Sequence, residues 1–202
     1  MPTPPTVLDS FRLDGKIALV TGAARGLGLT MATALAQAGA DLALVGRSLG
    51  PANDAATSIA DATGRRARAF AADVTSAADV TRMVQEVEAE YGRVDILINN
   101  AGVNKRGLSQ DLTEADWDLV VDTNLKGPFL CSRTVGPGMV SRGWGRVIHM
   151  GSALSAVALP GRAPYASSKA GVVNLSRVLA LDRKSTRLNS SHWITSRMPS
   201  SA

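Results

Sequence analysis

Short apolar runs alternate with longer stretches of helical periodicity five times along the chain. The apolar runs predict strands near residues 17–21, 41–46, 67–72, 94–98 and 146–151. The stretches that follow them predict helices near 26–38, 52–63, 76–91, 115–142 and 163–181. The fourth of these helices is either continuous or broken. Such an alternation is typical of a parallel sheet covered by helices on both faces. The chain is therefore predicted to adopt an α/β fold with a doubly wound parallel sheet.

The helix predicted at 76–91 shows this pattern most clearly. Its apolar residues recur at helical spacing, whereas Glu86, Glu88 and Glu90 fall on the opposite, water-facing side. Right-handed crossovers between successive strands predict the strand order 3-2-1-4-5. In this topology ligands bind in the crevice at the carboxyl ends of the strands. The residues that follow each predicted strand are therefore the candidates for chemistry.

The first predicted strand runs directly into a glycine-rich turn, Thr21–Gly28, and then into a helix-forming stretch. Gly22 lets the chain turn sharply, Gly26 lets the backbone approach a pyrophosphate, and Gly28 lets the helix pack closely on the sheet. The unpaired N–H groups at the start of the helix attract phosphate. The spacing is GxxxGxG instead of GxGxxG, so this turn alone does not establish nucleotide binding.

Tyr165 and Lys169 lie four residues apart in the last predicted helix, which places them on one face and one turn apart. A free phenol titrates near pH ~10, and a fixed ammonium one turn away favours the phenolate and lowers that pKa. Ser152, thirteen positions before Tyr165, follows the fifth apolar run, so its hydroxyl can point to the same place. Together the three side chains suit proton transfer to or from a carbonyl or alcohol oxygen. The alternative is an ordinary tyrosine and lysine on a helix surface.

The composition is that of one globular domain with a sizeable core, since 45% of the 202 residues are hydrophobic. No apolar run is long enough to span a membrane, and the N-terminus does not resemble a secretory signal. The one cysteine, Cys131, excludes an internal disulfide and fits a reducing cytoplasm. With His149 and His192 it makes no cluster of metal ligands, so no metal is expected.

The net charge of +5 and the isoelectric point of 9.9 raise the question of nucleic-acid binding. Residues 183–202 carry four basic residues and no acid, whereas residues 1–182 carry 18 basic and 17 acidic residues. A nearly neutral body with a basic tail lacks the basic face of a nucleic-acid-binding domain. We therefore expect no nucleic-acid partner and no membrane partner.

Five motifs occur together in the order and at the spacings of one protein family. They are Thr21-Gly-x-x-x-Gly-x-Gly28, Asn99-Asn-Ala-Gly102, Asn124, Ser152 and Tyr165-x-x-x-Lys169. From Phe11 to Asp182 the chain resembles the short-chain dehydrogenase/reductase family. Less specific features resemble its gluconate 5-dehydrogenase-like branch: Phe11–Lys16, Val45–Arg47 and Asn100–Arg106. The resemblance implies a Rossmann-type fold and an NAD(P)-dependent oxidoreductase that interconverts a secondary alcohol and a ketone, such as a sugar acid or another small polar compound.

The resemblance also implies catalytic roles. Tyr165 would exchange the proton, Lys169 would assist it and bind the ribose hydroxyls, and Ser152 would stabilise the oxyanion. Asn124 would hold a water that links Lys169 to solvent. The alternative for Asn124 is an amide that satisfies the backbone at a break in the helix.

Further residues would contact the cofactor by the same resemblance. They are Gly22, Arg25, Gly26, Leu27, Gly28, Arg47, Asp73, Val74, Asn100, Ala101 and Gly102, together with Tyr165 and Lys169. The alternative for Asn99 and Asn100 is that they simply stabilise the end of the central strand, and the resemblance implies both that role and cofactor contact. Asp73 can also belong to the start of the next helix, which is compatible with contact to the cofactor. At the end of the second strand, Gly46-Arg47-Ser48 has no acid that would repel a 2′-phosphate, so NADP(H) is favoured over NAD(H). The alternative for Arg47 and Arg25 is a solvated surface charge.

The sequence changes character after Asp182. Residues 183–202 contain six serines and no glycine, acid or helical period. They resemble the translation of a sequencing adapter at the end of an assembled fragment, and the alternative is a natural disordered tail. We therefore expect an incomplete nicotinamide-binding domain at 1–182 that lacks the last two strands of its family, followed by a disordered tail. The complete protein is expected to be a homotetramer. The alternative to an active enzyme is that this chain is a catalytically inactive, truncated nucleotide-binding fragment.

Overall fold

Five short strands form one parallel sheet in the computed structural model, which describes residues 6–182. The strands are β1 (Ile17–Thr21), β2 (Asp41–Gly46), β3 (Ala67–Ala71), β4 (Ile96–Asn99) and β5 (Arg146–His149). Their order in the sheet is β3-β2-β1-β4-β5, and every neighbouring pair is parallel. The predicted α/β class and strand order 3-2-1-4-5 are confirmed.

Helices connect the strands and cover both faces of the sheet. They are α1 (Gly26–Gln37), α2 (Leu49–Thr63), α3 (Ala77–Tyr91), α4 (Glu114–Val121), α5 (Gly127–Ser141) and α6 (Ala163–Asp182). Helix α2 begins three residues before its predicted start, with Pro51 in its first turn. Proline is tolerated there because the first N–H groups of a helix have no partner within it. The predicted 115–142 helix is divided by one π-helical segment, Asp122–Lys126.

Two apolar layers hold the sheet between the helices. Successive strand residues point to opposite faces, so Leu19 packs towards α3 and α5 while Val20 packs towards α1 and α2. Fully burying a leucine or valine side chain contributes about 1.5–3 kcal/mol. Cys131 is buried in the first layer, and burial raises its pKa to about 12.

The sheet ends at β5 within the described residues. There β5 pairs with β4 alone, and Ile148 is 39% exposed. The disordered tail predicted at 183–202 lies outside the described residues. No helix in the part of the chain from residue 6 to 182 is both long and apolar enough to span a membrane.

Candidate active site

The glycine-rich turn after β1 has the shape of a phosphate cradle. Gly22 and Gly26 have φ angles of +64° and +55°, which side chains rarely adopt. A Cβ at Gly28 would clash with the carbonyl oxygen of Gly22 and lie 2.5 Å from the Nδ2 atom of Asn100, whereas one at Gly26 would meet no atom within 4 Å. The turn is thus packed against the sheet at Gly28 and open at Gly26. Arg25 and Leu27 are exposed beside it, and contact of this open face with a diphosphate remains a prediction.

Asn100 ties the end of β4 to this turn. Its backbone N–H donates to Thr21 Oγ1 (3.0 Å), and its Nδ2 donates to the carbonyl oxygens of Thr21 (3.0 Å) and Gly22 (3.1 Å). The N–H of Ala101 donates to the same Thr21 hydroxyl at 3.1 Å. The structure therefore gives Asn100 the stabilising role considered as its alternative. Contact of Asn100, Ala101 and Gly102 with a cofactor remains a prediction.

Arg47 and Asp73 follow β2 and β3 at the adjacent edge of the crevice. The carboxylate of Asp73 accepts hydrogen bonds from the N–H (2.9 Å) and hydroxyl (2.8 Å) of Thr75. The hydrogen bond from the Thr75 N–H is the largest cause of the lowered pKa of Asp73. The bond from the Thr75 hydroxyl and the charge of Arg47 lower it further. Arg47 is exposed and forms no ion pair with any residue from 6 to 182. Val74 is buried, and a Cβ at Gly127 would lie 2.9 Å from its Cγ2 atom.

Asn124 lies in the π-helical segment and is 1% exposed. Its Oδ1 accepts from the N–H of Val103 (2.8 Å), and its Nδ2 donates to the carbonyl oxygen of Val103 (2.9 Å) and to Ser168 Oγ (3.2 Å). Ser168 in turn donates to the carbonyl oxygen of Tyr165 at 2.8 Å. The amide thus satisfies backbone groups, as its alternative proposed, and it connects the loop after β4 to α6. Its role in holding a water remains a prediction.

Tyr165 and Lys169 share one face of α6. The Nζ atom of Lys169 lies 5.7 Å from the centroid of the Tyr165 ring and donates to the carbonyl oxygen of Met150 at 2.6 Å. Lys169 is only 6% exposed, and this burial lowers its pKa. Tyr165 is half-buried in the first turn of α6. An ammonium and a phenol are therefore fixed together where the last strand ends.

Ser152 lies three residues beyond the end of β5 and begins a short 3₁₀ turn, Ala153–Ser155. Its Oγ accepts from the N–H of Leu154 at 3.2 Å, while its own N–H donates to Ser155 Oγ at 3.2 Å. Ser155 Oγ also donates to the carbonyl oxygen of Lys169 at 2.9 Å. Ser155 was not predicted from the sequence, although it follows Ser152 at the spacing of a capping box.

Asn99 is a second buried amide beside this site. Its Nδ2 lies 3.2 Å from Ser132 Oγ and 3.3 Å from His149 Nδ1. Its Oδ1 is buried and has no hydrogen-bond partner among residues 6–182. The sequence did not indicate this cluster, because Ser132 and His149 are 33 and 50 positions from Asn99. Among the described residues, no group of three or more His, Cys, Asp or Glu side chains could hold a metal ion.

Comparison with known sequences identifies relatives of this chain. The sequence pattern of the family described as short chain dehydrogenase matches residues 16–192. The chain is 43% identical over 172 residues to D-threitol dehydrogenase of Mycolicibacterium smegmatis, an alignment that covers 85% of this chain and 66% of that protein. The chain thus spans about two thirds of the length of this curated relative.

Comparison with solved structures finds the same architecture. A gluconate 5-dehydrogenase from Burkholderia cenocepacia, in complex with NADP and tartrate, superposes with a TM-score of 0.87 at 37% identity, covering 91% of this chain and 72% of that one. An NAD⁺-bound xylitol dehydrogenase superposes with a TM-score of 0.84 at 31% identity, covering 87% and 68%. These two relatives therefore bind different nicotinamide cofactors.

Proposed function

This chain belongs to the short-chain dehydrogenase family, and from that premise we propose that the full-length protein interconverts a secondary alcohol and a ketone with a nicotinamide cofactor. The observation that carries the proposal is the pairing of Tyr165 with the buried ammonium of Lys169, whose Nζ is 5.7 Å from the ring centroid. A surface tyrosine and lysine on an ordinary helix would not need a buried charge, which is costly to desolvate. The pair lies at the carboxyl edge of the sheet, together with the glycine-rich turn.

The cofactor would supply hydride transfer, and the residues of this chain would handle the proton and the orientation. In reduction, Tyr165 would donate its proton to the carbonyl oxygen, and in oxidation it would accept a proton from the alcohol. The Ser152 hydroxyl would donate a hydrogen bond to the developing oxyanion. This role is compatible with the geometry of Ser152, because its Oγ only accepts the Leu154 N–H and its own hydrogen is available. Lys169 would place its positive charge beside the Tyr165 ring.

For the cofactor we propose NADP(H) over NAD(H). Arg47 and Arg25 are both exposed at the carboxyl edge of the sheet, and neither forms an ion pair among residues 6–182. Two arginines at the opposite, amino edge of the sheet are paired with acids: Arg93 with Asp95 (3.0 Å) and Arg65 with Asp41 (2.8 Å). Unpaired guanidinium groups are available to a 2′-phosphate, which arginine binds in a bidentate manner.

For the substrate we propose a small polar compound such as a sugar acid. The loops that carry Arg106 and Arg162 meet where the N–H of Gly107 donates to the carbonyl oxygen of Gly161 at 3.3 Å. Arg162 lies three residues before Tyr165, and neither arginine forms an ion pair within the described chain. Two unpaired arginines near the proton donor would favour a substrate with a carboxylate.

Binding and turnover test the proposed function separately. Titration of the full-length protein with NADPH should change the nicotinamide fluorescence, and a panel of ketones with and without carboxylates should oxidise the bound cofactor. We expect binding and turnover of at least one polar ketone. Absence of any change in fluorescence would refute nicotinamide binding, and binding without turnover of any ketone or alcohol would refute the proposed reaction.

A second candidate concerns the 202-residue chain by itself, which we propose to bind the cofactor without turnover. It is favoured by the length of the chain relative to its relatives and by β5, which has one strand neighbour among residues 6–182. Strands of a parallel sheet are normally buried on both faces, and an edge strand leaves unpaired N–H and C=O groups open to another segment. The same titration and ketone panel, run on the 202-residue chain, test it. Turnover at the rate of the full-length protein would refute it.

We propose that the full-length protein is a homotetramer and that the 202-residue chain is at most a weak dimer. Exposed apolar side chains on α4 and α5, namely Trp117, Leu119 and Phe129, support self-association. Two copies of the same helical run can cover each other around a two-fold axis. Light scattering of both forms tests this proposal. A monomeric full-length protein, or a stable tetramer of the 202-residue chain, would refute it.

A further inference from the structure

Ser155 joins the loop that carries Ser152 to the helix that carries Tyr165 and Lys169. Its hydroxyl accepts from the N–H of Ser152 at 3.2 Å and donates to the carbonyl oxygen of Lys169 at 2.9 Å. We propose that Ser155 is a positioning residue, which sets the distance between the oxyanion donor and the proton donor of the reaction. This inference rests on the proposed function of Ser152, Tyr165 and Lys169.

The geometry requires a hydroxyl at this position. The two bonds need one atom that accepts and donates at the same time, and among small side chains only serine and threonine provide it. Ser152 and Ser155 also exchange bonds within the 3₁₀ turn, since the N–H of Ser155 donates to the carbonyl oxygen of Ser152 at 3.0 Å while Ser155 Oγ accepts from the N–H of Ser152. The reciprocal pair fixes the turn, and the bond to Lys169 then fixes the turn to α6.

A second bond between the same two segments acts on the lysine side chain. Lys169 Nζ donates to the carbonyl oxygen of Met150 at 2.6 Å, so α6 is held to the chain before Ser152 as well as to the chain after it. Of these two hydrogen bonds, loss of the Ser155 hydroxyl would leave the one from Lys169 Nζ to Met150. Ser152 could then move relative to Tyr165 without unfolding of either segment.

The expected consequence is a kinetic defect. A misplacement of about 1 Å at a reacting group can reduce the rate roughly a hundredfold. Ser155 is not placed on the substrate or on the cofactor, so its loss should lower kcat and leave KM and cofactor affinity nearly unchanged. The pH dependence of kcat should also shift, because it reports the group that transfers the proton in the bound complex.

The test compares Ser155→Ala and Ser155→Thr in the full-length enzyme. We expect Ser155→Ala to lower kcat by about tenfold to a hundredfold with KM and cofactor Kd within about threefold, and Ser155→Thr to restore most of the activity. Ser176→Ala is the matched control, because Ser176 is a buried serine of α6 whose hydroxyl donates to Val172 at 2.9 Å. Ser176→Ala should lower Tm about as much as Ser155→Ala does, and it should leave kcat and the pH dependence of kcat unchanged.

Two kinetic results would overturn the inference. One is a kcat of Ser155→Ala within about twofold of the parent, and the other is an equal loss of kcat in Ser176→Ala. If Ser155→Ala does not fold, Ser155→Val and Ser155→Thr replace it, since they share a shape and differ in the hydroxyl. Amide exchange at Ser152 provides a readout that does not need activity, and it should be faster in Ser155→Ala than in the parent. Unchanged exchange would refute the bond itself, whereas an inactive parent would refute the proposed function.

Discussion

The ammonium of Lys169 is held by the backbone carbonyl of Met150, at 2.6 Å, and by no carboxylate of the described chain. A carbonyl fixes the position of the charge without neutralising it. The charge therefore remains able to act on the Tyr165 ring, whose centroid is 5.7 Å from the same nitrogen. Burial of Lys169 is the cause of its lowered pKa. The structure thus combines a fixed cation and a phenol in one turn of α6.

Removal of the Tyr165 hydroxyl should abolish most of the activity of the full-length protein. We expect Tyr165→Phe to lower kcat by about 10²–10⁴-fold, because the proton donor is lost, while the cofactor Kd changes little. Steady-state kinetics and fluorescence titration measure the two quantities. Tyr91→Phe is the control, since it removes the only other tyrosine hydroxyl, which donates to the carbonyl oxygen of Leu42 at 2.8 Å. A kcat for Tyr165→Phe within about tenfold of the parent would contradict the assignment.

Arg47 should distinguish the two nicotinamide cofactors. We expect Arg47→Ala to weaken NADPH binding by about 1–3 kcal/mol, as for the loss of a charged hydrogen-bond partner, and to leave NADH binding nearly unchanged. Calorimetric titration with both cofactors measures the difference. The matched control is Arg68→Ala, because Arg68 is exposed on the neighbouring strand β3 and pairs with Glu90 at 3.3 Å. Equal losses for both cofactors would show that Arg47 does not bind the 2′-phosphate.

Asn124 should contribute to stability as well as to activity. Asn124→Ala removes both bonds to Val103 and the bond to Ser168, so we expect a loss of about 1–3 kcal/mol in the free energy of unfolding. Urea denaturation measures this loss. The control Asn104→Ala removes an exposed asparagine of the same loop and should have little effect. If the two variants are equally stable, the buried amide does not stabilise the connection to α6.

The lowered pKa of Lys169 predicts a dependence of stability on pH. The ordinary pKa of lysine is 10.5, and the pKa of Lys169 in the folded state is lower. Between these two pKa values, the folded state binds fewer protons at Lys169 than the unfolded state does. Stability therefore rises with pH in that window. Lys169→Met removes the titration at a similar volume, and all other groups titrate in both proteins. Urea denaturation from about pH 7 to about pH 10 should show the parent gaining stability relative to Lys169→Met. A constant difference across this range would contradict the prediction.

The sequence alone predicted the class of fold and the strand order, because period and handedness are local properties. Apolar runs such as Ile17–Thr21, whose residues are all buried, stand out in the sequence, and right-handed crossovers between successive strands predicted the order that is observed. The glycine spacing and the four-residue step from Tyr165 to Lys169 are also local, since helix geometry alone places the latter two on one face. These features therefore needed no knowledge of distant contacts.

Only the tertiary structure revealed what holds the candidate site in place. Asn124 meets Ser168 across 44 positions, Asn100 meets Thr21 across 79, and Ser155 meets Lys169 across 14. Such bonds depend on the relative placement of separate elements, which no short pattern encodes. Even the π-helical segment at Asp122–Lys126, which orients Asn124, appears in the sequence only as a possible break. The spacing of the candidate residues for proton transfer is therefore a feature of the sequence, whereas the hydrogen bonds that position them arise from packing between elements distant along the chain.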